Sequence, residues 1–407
     1  MGFNIVKAPH IFMPKKGVDL NKYAVIACDQ FTSQIEYWDK LKKEIGDSVS
    51  TFHMIFPEAY LSSVDNEEYI KGINKNIEIY LNNKDIVDIG ECFILVERVT
   101  SYGVRRLGLV ISIDLEEYSY KRDVPCSIKA SEATIVERIP PRLKIRKDAA
   151  VEFPHTLLLF DDKEKSIVEP LYAKRNQLPL VYDFELNANG GHIRGYRLDN
   201  TKEIIKQFED LYNKNNSGLM FIVGDGNHSL ATAKAHWENV KSSLTKEEQL
   251  THPARYALVE VNNIYDDGIV FEPIHRVLFN VEEDVLEGLK HVMMGNSKKC
   301  HIYTKKLGKF PINCVNNAAE VYQKVQAYLD EYLKTHKDTS IDFVHDEESA
   351  IEIANKDEKS VAIIMPAIGK DDLFVFVAKD AVLPRKSFSM GHASEKRYYL
   401  ESKKIIG

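Results

Sequence analysis

A carboxylate, two glycines and an imidazole stand close together near the middle of the chain. Gly224, Asp225, Gly226, Asn227 and His228 join an apolar run to a run of high helix propensity. The first N–H groups of a helix lie at the positive end of its dipole, where phosphate binds readily. Gly226 lets the backbone approach such an anion, and His228 can donate an imidazole N–H to it. The pattern favours a phosphate site at Gly226, Asn227 and His228.

The same loop also has an ordinary structural interpretation. Asp-Gly and Gly-Asn are common turn dipeptides, and a strand–turn–helix connection needs no ligand. Asn227 or Ser229 could be the N-cap, since each offers a side-chain acceptor to the first amides. The loop lacks the lysine of a Walker A motif and the third glycine of a dinucleotide fingerprint. Asp225 would repel phosphate, so we expect it to accept a proton or to bind a substrate hydroxyl or a metal-bound water.

A second candidate cluster is a basic stretch in an otherwise acidic chain. Arg142 lies in this stretch, and a guanidinium fork binds phosphate through two hydrogen bonds. Glu132 and Thr134 lie just upstream, and Glu132 could be a general base toward a substrate hydroxyl. The alternatives are a solvated basic face for the arginines and a capping role for Glu132. The cations of the stretch are Lys129, Arg138, Arg142, Lys144, Arg146 and Lys147.

Further short segments, spread over nearly the full length, accompany the loop. They are the region ending at Asp29, Glu132-Ala133-Thr134 with Arg142-Leu143, Pro273-Ile274-His275-Arg276, and Leu383-Pro384-Arg385-Lys386-Ser387. With these segments the chain resembles the DUF1015 family, and its loop resembles the D-G-x-H-R element of the ParB/sulfiredoxin superfamily. That element binds nucleotide phosphates, and some members of the superfamily phosphorylate free serine. The resemblance implies a ParB/sulfiredoxin-like phosphate-binding core.

The chain departs from this element at one position. Ser229 stands where an arginine usually follows the histidine. A contact to phosphate is therefore lost unless another basic residue supplies it. Arg142 is the first candidate for this role, and Arg276 is the second.

The function implied by the resemblance is phosphoryl transfer from a nucleotide to a small hydroxylated metabolite such as serine. Such transfer depends mainly on positioning and on neutralising charge. Asp225, Glu132 and His228 are the expected catalytic residues, and Mg²⁺ is expected with ATP or ADP. The expected nucleotide-binding residues are Gly226, Asn227, His228, Ser229, Arg142 and Arg276, and the expected substrate-binding residues are Asp29, Thr134, His275 and Lys386.

Two other functions fit the same residues. A hydrolase of a phosphomonoester such as phosphoserine would use the same phosphate site with water as the acceptor. A non-catalytic regulator that binds a nucleotide or a phosphorylated metabolite would need only the binding site. In that case Asp225 and Glu132 would be structural caps.

Composition excludes several other classes of function. The formal net charge of -7 argues against a general nucleic-acid-binding protein. The five cysteines are scattered without a C-x-x-C pair, which argues against metal knuckles and disulfides and favours the cytoplasm. The chain has no run of about 18 apolar residues and no apolar signal segment, so we expect neither membrane insertion nor secretion. The expected partner is a small phosphorylated molecule.

The elements that must position these residues alternate along the chain, which predicts a mixed α/β fold. Apolar runs predict strands at 23–28, 156–160 and 218–223, and helical spacing predicts helices at 34–46 and 66–83. Two strands are expected around Asp266-Asp267-Gly268, and a further strand is expected at LFVFVA, residues 373–378. We expect a phosphate-binding core at 1–280 and a C-terminal α/β region at 281–407.

Overall fold

The computed structural model describes residues 3–121, 124–379 and 382–407, and the protein is a mixed α/β fold. The strands are β1 (Val6–Lys7), β2 (His10–Pro14), β3 (Val25–Ile26), β4 (Ile86–Glu91), β5 (Phe93–Val99), β6 (Arg105–Asp114), β7 (Tyr118–Ser119), β8 (Ile128–Ala130), β9 (Val151–Glu152), β10 (Leu157–Phe160), β11 (Leu180–Leu186), β12 (Gly191–Leu198), β13 (Phe221–Asp225), β14 (Tyr256–Asn263), β15 (Phe271–Pro273), β16 (His275–Phe279), β17 (Ser297–Thr304), β18 (Gly308–Cys314), β19 (Ser340–Val344), β20 (Val361–Ile364), β21 (Phe388–Met390), β22 (Tyr398–Tyr399) and β23 (Lys403–Lys404). The α-helices are α1 (Leu20–Tyr23), α2 (Ile35–Ile45), α3 (Asn66–Asn82), α4 (Ile139–Arg146), α5 (Val168–Ala173), α6 (Thr201–Asn215), α7 (Asn227–Lys241), α8 (Lys246–Thr251), α9 (Asp284–Met293), α10 (Ala318–Thr335), α11 (Glu347–Ala354) and α12 (Lys370–Ala378).

The first of two compact units is built on a large mixed sheet. Its described residues come from Met1–Ala130, Thr134–Ile269 and His392–Gly407. The sheet has ten strands in the order β11-β12-β5-β6-β14-β10-β13-β8-β7, and β1 pairs with β6. Within it β13 lies between β10, which is antiparallel to it, and β8, which is parallel to it.

Both faces of this sheet are covered by apolar side chains. Successive residues of a strand point to opposite faces, and β5 shows the consequence. Phe93 and Leu95 belong to one buried cluster, whereas Ile94 and Val96 belong to another. The first cluster also contains Trp237 of α7. Burial on both faces explains why residues 93–96 of β5 and 221–223 of β13 are continuous apolar runs rather than alternating ones.

The second unit contains a smaller antiparallel sheet. Its described residues come from Ser131–Ala133 and Val270–Gly391. Five strands form this sheet in the order β18-β17-β20-β16-β19, and β15 pairs separately with β21. Val277 and Ala362 of the sheet and Ala350 and Ala354 of α11 belong to one buried cluster. Small alanines allow the helix and the sheet to approach closely.

Most of the predicted elements around the site are confirmed. The helix predicted at 34–46 is α2, and Gly46 is its C-cap residue. The helix predicted at 66–83 is α3, and the strand predicted at 156–160 is β10. The apolar run and the helical run on either side of the opening loop are β13 and α7. The mixed α/β class is also confirmed.

Three local predictions need correction. The apolar run at 373–378 is not a strand, because it lies in α12, whose first turn carries Asp371 and Asp372. Acidic residues stabilise that end of a helix through its dipole. The run predicted as one strand at 23–28 forms the end of α1 and the short β3. Around residues 256–279 the structure has β14, β15 and β16 instead of two strands.

The boundaries of the predicted regions 1–280 and 281–407 do not coincide with those of the two compact units. The chain enters the second unit after Ile269 and returns to the first at His392. The return is made by β22, which pairs with β3, and by β23, which pairs with β9. Pairings between residues so far apart in sequence leave no local signal, so composition alone does not reveal this boundary.

The turn between β13 and α7 depends on a glycine at one position. Gly226 has a φ of 82°, in the left-handed region that side chains rarely adopt. A Cβ at this position would also lie 2.9 Å from the Cα of Thr156. Both the backbone angle and the packing therefore require a residue without a side chain here.

We expect Gly226→Ala to destabilise the protein more than Gly218→Ala. Gly218 also has a positive φ, of 71°, but its Cβ would meet nothing within 4 Å. The unfavourable angle costs each variant about 1 kcal/mol, and Gly226→Ala additionally forces a contact with Thr156. Urea unfolding of both variants and the wild type measures the difference in the free energy of unfolding. Equal losses in the free energy of unfolding would show that the backbone near Thr156 can shift without destabilising the protein.

Candidate functional site

The start of α7 presents amide groups that the helix itself leaves free. The first residues of a helix have no intrahelical acceptor for their N–H groups. The structure corrects the predicted cap, because the N-cap residue is Gly226 rather than Asn227 or Ser229, and it makes no side-chain hydrogen bond. The amide of Leu230 donates to the Gly226 carbonyl at 3.0 Å. The N–H groups of Asn227, His228 and Ser229 therefore lie in the first turn without an N-cap side chain to accept them.

His228 is held as a neutral imidazole beside this turn. Its Nε2 accepts a hydrogen bond from the backbone N–H of Ile135 at 3.2 Å, which places the ring proton on Nδ1. Burial, together with the charges of Arg142 and Arg138, lowers the pKa of His228 to about 4. At neutral pH the ring is therefore a hydrogen-bond donor through Nδ1 and carries no charge.

Arg142 of α4 faces a carboxylate in the same unit. Its Nη2 donates to Glu58 in a close ion pair, and its Nη1 donates to the Arg138 carbonyl at 2.9 Å. One turn further along α4, Arg146 pairs closely with Glu152. The predicted basic stretch thus forms a helix whose arginines face carboxylates instead of a freely solvated cationic face.

A cavity of about 440 Å³ lies in the first unit between α4, the start of α7 and the apolar residues near α3. Ser229 and Thr232 of α7 contribute to its wall, so the first turn of the helix borders it. One part of the lining is apolar and another is charged, a combination suited to a ligand with an apolar portion and an anionic group. The lining residues are Cys28, Met54, Ile55, Phe56, Glu58, Leu61, Ile73, Ile77, Glu137, Arg138, Pro141, Arg142, Ile145, Arg146, Ala149, Val151, Glu152, Phe153, His155, Ser229, Thr232 and Tyr399.

One ion-pair contact and a series of hydrogen bonds connect Asp29 to the wall of this cavity. The Nε2 of His155 lies 3.6 Å from a carboxylate oxygen of Asp29, and its Nδ1 lies 2.8 Å from the hydroxyl of Tyr399. The Tyr399 hydroxyl accepts the N–H of Cys28 at 3.1 Å and donates to the Cys28 thiol at 3.1 Å. Gln30 donates to the other oxygen of Asp29 at 2.9 Å. Each member therefore holds its neighbour in one orientation.

The charges of Asp29 and His155 stabilise each other despite the burial of both side chains. Burial opposes the charge on Asp29, but His155 and a hydrogen bond from Gln30 outweigh it and hold the Asp29 pKa well below its usual range. Burial also opposes protonation of His155, but Asp29 outweighs it and raises the pKa of His155. Each group thus favours the charged form of the other, a carboxylate for Asp29 and an imidazolium for His155. Burial raises the pKa of the Cys28 thiol, so Cys28 is not an activated nucleophile.

Asp225 has a cationic partner from the C-terminal segment. The Nζ of Lys396 lies 3.2 Å from a carboxylate oxygen of Asp225, and the two side chains are 11% and 23% exposed. The negative charge of Asp225 also contributes to the raised pKa of His155. The carboxylate that would repel phosphate is thus compensated within its own unit.

The remaining predicted residues lie in the second unit, where Glu132 is bound to a turn. Its carboxylate oxygens accept the N–H groups of Ser387 at 3.0 Å and Lys386 at 3.3 Å. Burial raises the pKa of Glu132 to about 7, although these hydrogen bonds and Arg276 oppose the shift. Such a carboxyl group suits proton transfer near neutral pH. The same contacts also give it the capping role that was the alternative.

Arg276 and His275 are buried in the second unit. Arg276 donates to the Ile274 carbonyl and to Gln326, and its guanidinium lies 4.9 Å from the ring centroid of Tyr322. His275 Nδ1 accepts the N–H of Met365 at 3.1 Å. These contacts hold both side chains within their own unit, although Arg276 Nη2 is buried without a hydrogen-bond partner among the described residues. Their predicted ligand-binding roles, and that of Lys386, remain predictions.

The first unit therefore brings together Asp29, Thr134, Arg142 and the loop from Asp225 to Ser229. Thr134 precedes Ile135, whose amide is bound by His228, and the Thr134 hydroxyl is buried without a hydrogen-bond partner among the described residues. Sequence reasoning missed a further set of residues, since none of them has a recognisable spacing from the loop. These residues are Glu58, His155, Lys396 and Tyr399.

Comparison with known proteins identifies one matching family. The sequence profile of a family described as "Protein of unknown function (DUF1015)" matches residues 12–380. A comparison with curated proteins gave no match. No helix in the described ranges combines the length and the apolar character needed to cross a bilayer.

Several solved structures are similar to this chain at low identity. A conserved hypothetical protein from Pyrococcus furiosus is 13% identical with a TM-score of 0.35, over 73% of this chain and 95% of that one. A free serine kinase in complex with AMP is 12% identical with a TM-score of 0.38, over 73% and 91%. A C-terminally truncated SbnI from Staphylococcus aureus is 10% identical with a TM-score of 0.37, over 69% and 82%. Likeness at this level does not bear on function.

The Asp29–His155 pair should make stability depend on pH in one direction. Because the folded-state pKa of His155 is raised, the pair stabilises fully below the unfolded pKa of about 6.5. This stabilisation is lost as the pH rises through the raised pKa. We expect His155→Gln to reduce the free energy of unfolding more at pH 6 than at pH 9, as measured by urea unfolding.

His10→Gln is the matched control for this experiment. His10 also contacts a carboxylate, Asp88, at 3.0 Å, but its side chain is 62% exposed. An exposed pair of this kind contributes little, so this variant should lose little stability at either pH. A loss for His155→Gln that is equal at pH 6 and pH 9 would contradict an imidazolium at this position.

Proposed function

The chain belongs to the DUF1015 family, and for this member we propose phosphoryl transfer from a nucleotide to a small hydroxylated metabolite. The phosphate is proposed to bind at the start of α7, and the remainder of the nucleotide is proposed to bind in the adjoining cavity. Serine is the first acceptor to test, since the loop resembles an element whose superfamily includes free-serine kinases. A non-catalytic regulator would need the same phosphate site, so the presence or absence of phosphoryl transfer distinguishes the enzyme from the regulator.

One observation carries the proposal. The first turn of α7, with no N-cap side chain, borders a cavity of about 440 Å³ that is also lined by Arg138 and Arg142. Free amides favour an anion directly, and the guanidinium groups add positive potential to the cavity even while Arg142 is paired with Glu58. The apolar lining from Met54 to Phe56 gives a second part of the ligand, such as a nucleoside, a surface to bury. A cavity built only for an apolar ligand would not need these charges.

The proposed reaction needs a proton acceptor close to the phosphate. The hydroxyl oxygen of the acceptor would form a bond to the terminal phosphorus, and the bond to the leaving phosphate oxygen would break. The hydroxyl proton would pass to a carboxylate, for which Asp225 is the candidate because it directly precedes the phosphate-binding loop. Asp29 is oriented by His155 and Gln30, so its proposed role is to bind the hydroxyl or the ammonium group of the acceptor.

Mg²⁺ fits this site as a companion of the nucleotide. It prefers carboxylate and phosphate oxygens and retains several waters. Asp29 and Asp225 supply oxygens of this kind, but each already has a cationic partner. In the described part of the chain, the three-residue group with metal-ligand spacing is Glu282, Asp284 and His336, which belongs to the second unit. Mg²⁺ would therefore be held mainly through the phosphates, where it would neutralise their charge.

The first experiment measures binding and transfer together. Isothermal titration calorimetry with ADP, AMP and inorganic phosphate, each with and without Mg²⁺, measures binding. Incubation with ATP or ADP and serine, followed by detection of phosphoserine, measures transfer. Binding without transfer to any hydroxylated acceptor would favour the regulator, and release of phosphate from phosphoserine would favour the hydrolase.

We expect His228→Ala to weaken ADP binding about tenfold to a hundredfold. A hydrogen bond to a charged group contributes roughly 1.5–3 kcal/mol, and about 1.4 kcal/mol corresponds to a factor of ten. His236→Ala is the matched control, because His236 also lies on α7 as a buried imidazole whose pKa is lowered to about 4. Equal losses of affinity in both variants would mean that His228 acts only through the stability of the helix.

The carboxylate variants should separate binding from turnover. Asp225→Asn removes a negative charge next to the phosphate at nearly constant size, so ADP binding should hold or tighten while transfer is lost. Glu132→Gln tests the predicted base of the second unit in the same way. Normal transfer in both folded variants would contradict a catalytic role for either carboxylate.

A further inference from the structure

The proposed phosphate site has an electrostatic problem at its entrance. Asp225 directly precedes Gly226, and its charge opposes any anion bound by the amides that follow. Ser229, the residue after His228, brings no positive charge to the loop. A cation from elsewhere in the chain must therefore offset Asp225 before a phosphate can bind at the start of α7.

The arginines of α4 are not well suited to offset the charge of Asp225. Arg142 is engaged on two sides, by the Glu58 carboxylate and by the Arg138 carbonyl. Arg146 is similarly paired with Glu152. Each of these charges is already compensated by a carboxylate of the cavity wall. Releasing such a guanidinium to a ligand would leave Glu58 or Glu152 partly buried without its partner, which is costly.

Lys396 lies directly at the loop. Its Nζ is 3.2 Å from a carboxylate oxygen of Asp225, and its side chain is 11% exposed. Its charge also helps to hold the Asp29 pKa low. An ammonium group has three donors, so an ion pair with Asp225 leaves capacity for a phosphate oxygen. Lysine acts on phosphate as a point charge and does not need the fork geometry of arginine.

The backbone around Lys396 is fixed on both sides. Arg98 donates to the Lys396 carbonyl at 3.1 Å and to the Gly190 carbonyl, which anchors the segment to the large sheet. The amide of Ala27 donates to the Arg397 carbonyl at 2.9 Å. The Arg397 guanidinium donates to Glu260 at 2.9 Å. These contacts fix the backbone, and the ion pair with Asp225 holds the ammonium group next to the loop before any ligand arrives, which lowers the entropic cost of binding.

We propose that Lys396 is the phosphate-binding cation of this site and supplies the positive charge that the loop from Asp225 to Ser229 does not itself contain. This inference rests on the proposed function. It also means that the first unit completes its site with the segment His392–Gly407, which lies beyond the family match at residues 12–380. Lys396 both compensates Asp225 and contacts the ligand phosphate.

The test compares Lys396→Met with Lys404→Met by calorimetry, using ADP with Mg²⁺ and inorganic phosphate as the probes. Lys404 belongs to the same C-terminal segment but is exposed, and its Nζ lies 5.5 Å from the ring centroid of Phe12. We expect Lys396→Met to raise the Kd for ADP at least about tenfold. Lys404→Met should leave it unchanged, and Lys396→Arg should recover most of the affinity.

A second measurement separates ligand contact from a purely structural role. Removing a cation that contacts phosphate should make the Kd less sensitive to NaCl, because screening acts on that interaction. A lysine that only supports the fold would lower the melting temperature without changing this salt dependence. If Lys396→Met does not fold, the comparison is made with Lys396→Gln, which retains a hydrogen-bond donor.

The outcomes distinguish the two proposals. If the wild type binds neither ADP nor phosphate, the proposed function fails and the assignment of Lys396 falls with it. If the wild type binds ADP and the folded Lys396 variant binds it with the same Kd and salt dependence, the assignment of Lys396 alone is overturned. Weaker binding with a shallower salt dependence, and no such change for Lys404→Met, supports it.

Discussion

The site depends on one backbone position, Gly226. Its positive φ and its close approach to Thr156 exclude a side chain. Because the residue at the N-cap has no side chain, it cannot offer the hydroxyl or carboxylate that normally satisfies the first amides of a helix. The same glycine sets the direction of α7 and the position of His228, whose ring is bound by the amide of Ile135.

Charge compensation is the second constraint on the first unit. Three carboxylates around the loop and the cavity each face a cation: Asp29 faces His155, Glu58 faces Arg142, and Asp225 faces Lys396. Partly buried charges are stable only when they are paired in this way. An anionic ligand entering such a site meets nearly neutral pairs instead of a repulsive acidic wall. The pairs also fix the side chains in defined orientations, as a binding site requires.

The second unit has a polar centre of its own. Glu132 binds the turn at Lys386 and Ser387, and burial raises its pKa to about 7. These residues belong to segments that are far apart in sequence and are brought into contact by the fold of the second unit. Their contacts stabilise the second unit, and their predicted part in ligand binding is open to the Glu132→Gln experiment.

Local physical chemistry was enough to predict the loop, the elements on either side of it and the α/β class. Glycine at a strand–helix junction, helical spacing in α2 and continuous apolar runs in β10 and β13 are local signals, so they can be read without knowing the fold. The same local signals failed at 373–378, where an apolar run without a clear period fits a strand as well as the buried helix α12. Only the tertiary structure decided which partners the charged groups have. Strand pairings of the large sheet and of the C-terminal segment bring Lys396, Tyr399 and His155 to the site. Ion pairing between residues so distant in sequence leaves no spacing to detect.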